Sequence, residues 1–173
     1  MRDTMQVEEV AYLSLGSNLG DRAANLRAAL TQLEQAGSLR AVSALYETQP
    51  VDVPDQPWFL NCVVAIATRK APRELLKFLL CTEAALGRFR LRDKGPRKID
   101  IDVLLFGDRV LEEPGLIVPH PAMHQRRFVL EPLVEIAPEA CHPVLRKTAR
   151  ELLAALDETQ IVRRVEDAPG ART

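Results

Sequence analysis

Residues 58–68 (W-F-L-N-C-V-V-A-I-A-T) form a nearly continuous apolar run, fenced by a proline-rich stretch before it and by Pro72 after it. A strand with one wet face alternates apolar and polar residues, whereas a strand covered on both faces has no reason to. The run is therefore predicted to be a central strand, and the rest of the chain must supply its neighbours. Residues 9–16 alternate, with Ala11, Leu13 and Leu15 on one face, and stop at the turn-type tripeptide Gly16-Ser17-Asn18. Period two returns over residues 39–47, and residues 98–106 read as a strand from their branched side chains, closing on Gly107-Asp108. Two helical patterns lie between. Leu26, Leu30 and Leu33 follow Asp21 and stop at Gly37, and Leu75, Leu76, Leu79, Leu80 and Leu86 follow Pro72 and stop at Gly87. Residues 48–57, with three prolines and two aspartates, must be an irregular loop. Residues 109–127 read as irregular, 129–136 and 148–156 as helices, and 160–165 as a last edge strand.

That order, βαββαβ with an α-rich C-terminal extension, predicts an α+β protein: a ferredoxin-like, antiparallel-type sheet with helices on one face. With 173 residues the expectation is a single domain, its core spanning about residues 9–166 and a frayed tail over 167–173. Lys and Arg (23) nearly cancel Asp and Glu (24), so no cationic coat exists for nucleic acid. The apolar runs fall far short of the ~20 residues that span a bilayer, and the polar N-terminus lacks the core of a secretion signal. Cys62, Cys81 and Cys141 are widely spaced and are expected to be small buried hydrophobes in a reducing compartment. A soluble, cytoplasmic monomer without nucleic-acid or membrane partners is expected.

The chemistry concentrates in Lys94-Gly95-Pro96-Arg97-Lys98-Ile99-Asp100-Ile101-Asp102. On a strand, residues i and i+2 share a face at roughly 6.6 Å separation. Asp100 and Asp102 therefore point the same way, with Ile99, Ile101 and Val103 facing the core. Adjacent carboxylates repel, and one would hold a proton unless a cation sits between them. Magnesium prefers one or two carboxylates plus phosphate oxygens, so the pair suits a metal–nucleotide site. Just upstream stand Arg88, Arg90, Arg92, Lys94, Arg97 and Lys98, a concentration of positive charge that an anion such as a triphosphate would relieve. No G-x-x-x-x-G-K-[ST] loop, kinase H-R-D or G-x-S-x-G elbow occurs.

A second group suggests a flat organic partner. Phe59 and Asn61 lie two apart at a loop–strand junction, hence on one face, and Phe128 follows Arg126-Arg127 in another loop. Two phenylalanines beside polar loops could sandwich a heterocycle, while an asparagine reads its edge by donating and accepting together. His120 is held extended between Pro119 and Pro121. His142 reads as a surface residue.

These segments together resemble the 6-hydroxymethyl-7,8-dihydropterin pyrophosphokinase family of the folate pathway. The likeness runs through Tyr12–Gly20, Tyr46-Glu47-Thr48, residues 55–61, Gly95-Pro96-Arg97-x-x-Asp100-Ile101-Asp102 and residues 118–128, and covers about residues 9 to 140. It implies transfer of the diphosphate of ATP to the hydroxymethyl group of the pterin, releasing AMP, with two Mg²⁺ ions. By the same resemblance Asp100 and Asp102 would hold the metal. Arg88 and Arg97 would neutralise the moving diphosphate, and Arg90, Val103, His120 and Arg126 would meet the nucleotide. Phe59 and Phe128 would sandwich the pterin, its edge bonded by Asn61 and the backbone at Thr48 and Val51. The loops at 48–57 and 88–96 would close over the substrates. Lys94, Gly115 and Pro121 depart from the family pattern. A nucleotidyl transferase and a non-catalytic ligand-binding module remain the rival readings of the residues alone.

Overall fold

The computed structural model describes residues 7–50, 55–87 and 97–166. Its elements run β1 (Glu9–Ser17), α1 (Arg22–Leu33), β2 (Ser38–Val42), β3 (Leu45–Thr48), β4 (Phe59–Thr68), α2 (Pro72–Ala85) and β5 (Asp100–Phe106). There follow β6 (Leu111–Glu113), β7 (Leu116–Val118), a 3₁₀ turn (Met123–Gln125), α3 (Arg127–Ile136), β8 (Cys141–His142), β9 (Lys147–Thr148), α4 (Ala149–Ala154) and β10 (Val162–Glu166).

The main sheet is ordered β10-β3-β4-β1-β5, with β2 also on β4, and every pair in it is antiparallel. β4 is central, as its unbroken apolar run requires. It pairs with all of β1 on one side (Glu9↔Thr68 to Ser17↔Leu60) and with β2 and then β3 on the other. Both its faces are covered. On one, Leu13 and Leu15 of β1, Val64 and Ile66 of β4 and Ile101 of β5 pack under the leucine stripes of α1 and α2. On the other, Val63 and Leu104 meet Val129, Leu130 and Leu133 of α3 and Leu152 of α4. The expectation of helices on one face is thereby corrected. α3 and α4 close the opposite face, which is why Val63 between Cys62 and Val64 is as buried as they are.

Local chemistry sets the boundaries. Asp21 caps α1 by accepting the Ala24 N–H at 3.1 Å, and Pro72 opens α2 at a position where its missing N–H costs nothing. α1 ends at Leu33, short of Gly37. Gly37 has another reason to be glycine: a Cβ there would stand 2.2 Å from the Ala67 carbonyl oxygen of β4.

The period-two stretch at 39–47 is two strands, not one. At the break, the Ser43 N–H donates to the Val63 carbonyl, the Ser43 hydroxyl accepts the Val63 N–H, and Ala44 N–H turns to Glu135 of α3 at 2.6 Å. The chain bends there, so β3 can take β10 on its far side. Within the stretch expected to be irregular, β6 and β7 form a small hairpin with Gly115 at φ 74°. The edge strand expected at 160–165 is present as β10. Cys62 is buried, but Cys81 and Cys141 are exposed, contrary to expectation. His142 is buried rather than superficial, and its Nδ1 accepts the N–H groups of Val144 and Leu145. Among the described residues no helix is long and apolar enough to cross a membrane.

Gly37→Ala is expected to destabilise the fold by about 1–3 kcal/mol, because the obstructing atom is strand backbone and cannot swing away. Urea unfolding should show a lower midpoint at unchanged slope. An unchanged midpoint would mean that the α1–β4 approach is looser than described.

Candidate active site

The site is built on the part of the α3–α4 face of the sheet that those two helices leave uncovered. Antiparallel register aligns two rows across the strands. In the first, Asn61 of β4 faces Gly16 of β1, which faces Asp100 of β5. In the second, Val63 faces Ser14, which faces Asp102. Asp100 and Asp102 therefore share a face, as the alternation required, and Ile99 and Ile101 are buried on the other. The small residues on β1 keep the floor open. A Cβ at Gly16 would stand 2.6 Å from the Asn61 side-chain oxygen, so the strand continues through Gly16 instead of turning there, and its glycine makes room for that amide.

Above this floor lies a cleft of about 640 Å³. Its lining brings together Asp100, Asp102, Arg97, His120 and Arg126 with Thr48, Phe59, Asn61 and Phe128. The Asn61 amide donates to the Thr48 hydroxyl, tying β4 to β3, and Arg126 lies over the Phe128 ring with Cζ 5.6 Å from its centroid. Arg127 turns away to an ion pair with Glu131 at 2.7 Å. Val103 packs in the core and is not among the residues that line the cleft. Arg88, Arg90, Arg92, Lys94, Gly95, Pro96 and Val51 lie outside the described residues.

The electrostatics are those of a crowded anionic pair. Asp100 is matched by Arg97, whose Nη1 lies 2.9 Å from its Oδ2. Asp102 is pushed up to about 7, first by burial, then by Asp100 and Glu83, against the weaker pull of Arg126 and Arg97. His120 is pushed down to about 4 by burial and by Arg126. Its Nδ1 accepts the Ala122 N–H at 3.1 Å, so at neutral pH the ring proton sits on Nε2 and the imidazole is a donor.

Several contributors escaped the sequence reading. Asn18, read only as a turn residue, joins the chain before Phe59 to the chain before Asp100. Its amide donates to Gln56 Oε1 (2.9 Å) and to the Pro57 carbonyl (3.1 Å), while its Oδ1 accepts the Arg97 N–H (2.7 Å). Its own N–H donates to the Arg97 carbonyl at 3.0 Å. Glu83 of α2, 3% exposed, accepts the Ile101 N–H at 3.0 Å. Asn18 lay within a matched block but was given no role, and Glu83 lay in none, although a glycine inside an alternating strand is itself a sign of close approach, and that sign was available at Gly16.

A cleft in which carboxylates, cations, aromatic rings and an amide converge defines the class of small-molecule-binding proteins as the candidate. The comparisons give the family. A family model described as 7,8-dihydro-6-hydroxymethylpterin-pyrophosphokinase (HPPK) matches residues 12–138. The chain is 48% identical over 155 residues to a 2-amino-4-hydroxy-6-hydroxymethyldihydropteridine pyrophosphokinase of Methylorubrum extorquens, covering 88% of this chain and 97% of that one. It is 41% identical to the folic acid synthesis protein fol1 of Schizosaccharomyces pombe, covering 86% of this chain but 20% of that longer protein. A Plasmodium falciparum HPPK-DHPS crystallised with pterin and p-hydroxybenzoate shares the fold at TM-score 0.72 and 20% identity, over 88% of this chain and 44% of that one. The chain belongs to the HPPK family, and its activity is that of a pyrophosphokinase of folate biosynthesis.

The Asp102 carboxyl binds a proton in the fold more readily than when unfolded, so the ion-free fold loses stability as pH rises from about 4 towards about 7. Removing the charge should recover it. In chelator at pH 8, Asp102→Asn is expected to be more stable than the parent by on the order of 2–4 kcal/mol. The gap should close towards pH 4. Urea titrations giving the same difference at both pH values would contradict the account of Asp102.

Proposed function

We propose that this chain transfers the diphosphate of ATP to the hydroxymethyl oxygen of 6-hydroxymethyl-7,8-dihydropterin, releasing AMP. The observation that carries the reading is the meeting, in one cleft, of two carboxylates and two arginines with two phenylalanines and an asparagine. A polyphosphate needs the first and a flat, edge-polar ring the second. The order β1-α1-β2/β3-β4-α2-β5, with strand order β3-β4-β1-β5, supports a ferredoxin-like core carrying α3, α4 and β10 as its C-terminal extension.

The donor set fits magnesium. Asp100 and Asp102 offer hard oxygens, and the upward push on Asp102 marks negative charge that the described side chains leave under-compensated. Among the described residues no cluster of three or more ligating side chains occurs. Two carboxylates are what Mg²⁺ takes when phosphate and water complete its shell, and two ions are the number we propose. When bound, the metal supplies positive charge against the polyphosphate oxygens.

The chain's own residues then position and polarise. Phe59 and Phe128 stack on the two faces of the pterin, and Asn61, held by Thr48, bonds its edge, with the main chain at Thr48 and Val51 beside it. Arg126 and the His120 Nε2–H meet phosphate oxygens of the nucleotide, where Arg90 and the Val103 main chain join them. Arg97 and Arg88 balance the charge that spreads over the transferring group. The hydroxymethyl oxygen forms a bond to the β-phosphorus. The bond between that phosphorus and the α–β bridging oxygen breaks, AMP leaves with the oxygen, and the hydroxyl proton is released to solvent. We take the chain to act as a cytoplasmic monomer.

Incubation with ATP, Mg²⁺ and the reduced pterin alcohol should yield AMP and the pterin diphosphate. Release of inorganic pyrophosphate instead would indicate a nucleotidyl transferase. Asp100→Ala and Asp102→Ala are each expected to lower turnover at least ~10³-fold, and turnover within tenfold of the parent in both would point to a binding module. Phe59→Ala should raise the pterin KM roughly tenfold with little change in that for ATP.

A further inference from the structure

The Glu83 side chain is a buried carboxylate that the transfer chemistry does not use. It lies in the last turn of α2, on the wall of the cleft, and is 3% exposed. Its Oε1 accepts the N–H of Ile101 at 3.0 Å, and Ile101 is the residue between Asp100 and Asp102. Among the described residues β5 is the last strand of the sheet on this side, with β1 as its strand neighbour. The N–H that Glu83 takes is thus one that the sheet itself leaves without a strand partner. A carboxylate brought next to two others has an electrostatic cost, visible in its contribution to the upward push on Asp102.

We infer that Glu83 is a positioning residue: by holding the Ile101 N–H it fixes the plane of β5, and with it the spacing and direction of the Asp100 and Asp102 carboxylates that receive divalent metal. The inference rests on the metal-binding reading of those two aspartates. Groups that orient ligands typically change metal affinity by about 10- to 100-fold when removed. Glu83 does so through one hydrogen bond to the backbone between the ligands, without touching the ion.

The test is Mn²⁺ binding, followed by electron paramagnetic resonance, in the presence of α,β-methylene-ATP, whose α–β link cannot be cleaved. Glu83→Gln keeps an oxygen that can accept from Ile101, and is expected to bind Mn²⁺ within about threefold of the parent. Glu83→Ala removes the acceptor and is expected to weaken binding at least about tenfold. Amide exchange at Ile101 should quicken in the alanine variant and not in the glutamine one. Equal weakening in both variants would mean that Glu83 acts by its charge, and unchanged affinity in both would reduce it to a packing role. Either overturns the inference. Should Glu83→Ala fail to fold, Glu83→Leu and the exchange rate in Glu83→Gln carry the comparison. Asp102→Asn separates this inference from the reading beneath it. If that change leaves Mn²⁺ binding intact, the metal site itself is wrong. If it abolishes binding while Glu83→Ala does not, only the role of Glu83 falls.

Discussion

Two like charges on one face of an edge strand set the terms for everything around them. Asp100 and Asp102 are held at the distance the strand repeat dictates, and neither can move away without taking β5 with it. The fold answers this repulsion unequally. Arg97 closes directly on Asp100, whereas among the described residues Asp102 has the charges of Arg126 and Arg97 without an ion pair and is pushed up to about 7. The asymmetry is electrostatic strain stored at the one place where a cation and a polyphosphate would relieve it. What holds the strain is packing elsewhere. Ile99 and Ile101 are driven into the core beneath α2, and Leu104 is clamped on the other face by α3.

The two groups of cleft residues are joined by backbone as well as by the sheet. Asn18 stands at the end of β1 and spends its whole amide on other segments, with Gln56 and Pro57 on one side and Arg97 on the other. Pro57 lies two residues before Phe59, and Arg97 three before Asp100. The aromatic wall and the carboxylate floor thus share one buried polar joint, 1% exposed. Disturbing a fully satisfied joint of this kind leaves donors and acceptors unpaired in a dry place, which costs far more than the bonds themselves contribute.

Much of this was legible in the sequence, and what was legible was local. A period of two puts Asp100 and Asp102 together, and Phe59 with Asn61, whatever the rest of the chain does. The central position of β4 followed from its lack of alternation. That same run already demanded cover on both faces, yet the helices were expected on one, because an amphipathic stripe at 129–136 says that a helix is half buried and not against which surface. Residues 39–47 read as one strand because Ser43 and Ala44 suit a strand. Their departure from it is made by Val63 and by Glu135, some ninety residues on in the chain. The β6–β7 hairpin was invisible because three-residue strands carry too few alternations to register. Glu83 and Asn18 were missed for a deeper reason: each looks ordinary in its own element, and its partner is a backbone group supplied by another.

Why the cleft sits where it does follows from one line across the sheet. On the face towards α3, β1 presents Tyr12, then Ser14, then Gly16, while β4 presents Ala65, Val63 and Asn61, and β5 presents Leu104, Asp102 and Asp100. Antiparallel register sets Ser14 beside Asp102 and Val63, and Gly16 beside Asp100 and Asn61, so the face turns polar on β1 and β5 first and on β4 one row later. α3 can cover only the apolar side. Phe128, at the very start of the helix, packs against the core and also forms part of the cleft wall. A one-residue slip of β5 against β1 would turn Asp100 and Asp102 into the core and bring Ile99 and Ile101 to the floor, which the burial of two carboxylates forbids. The charges that make the site costly are thus also what fixes the register that builds it.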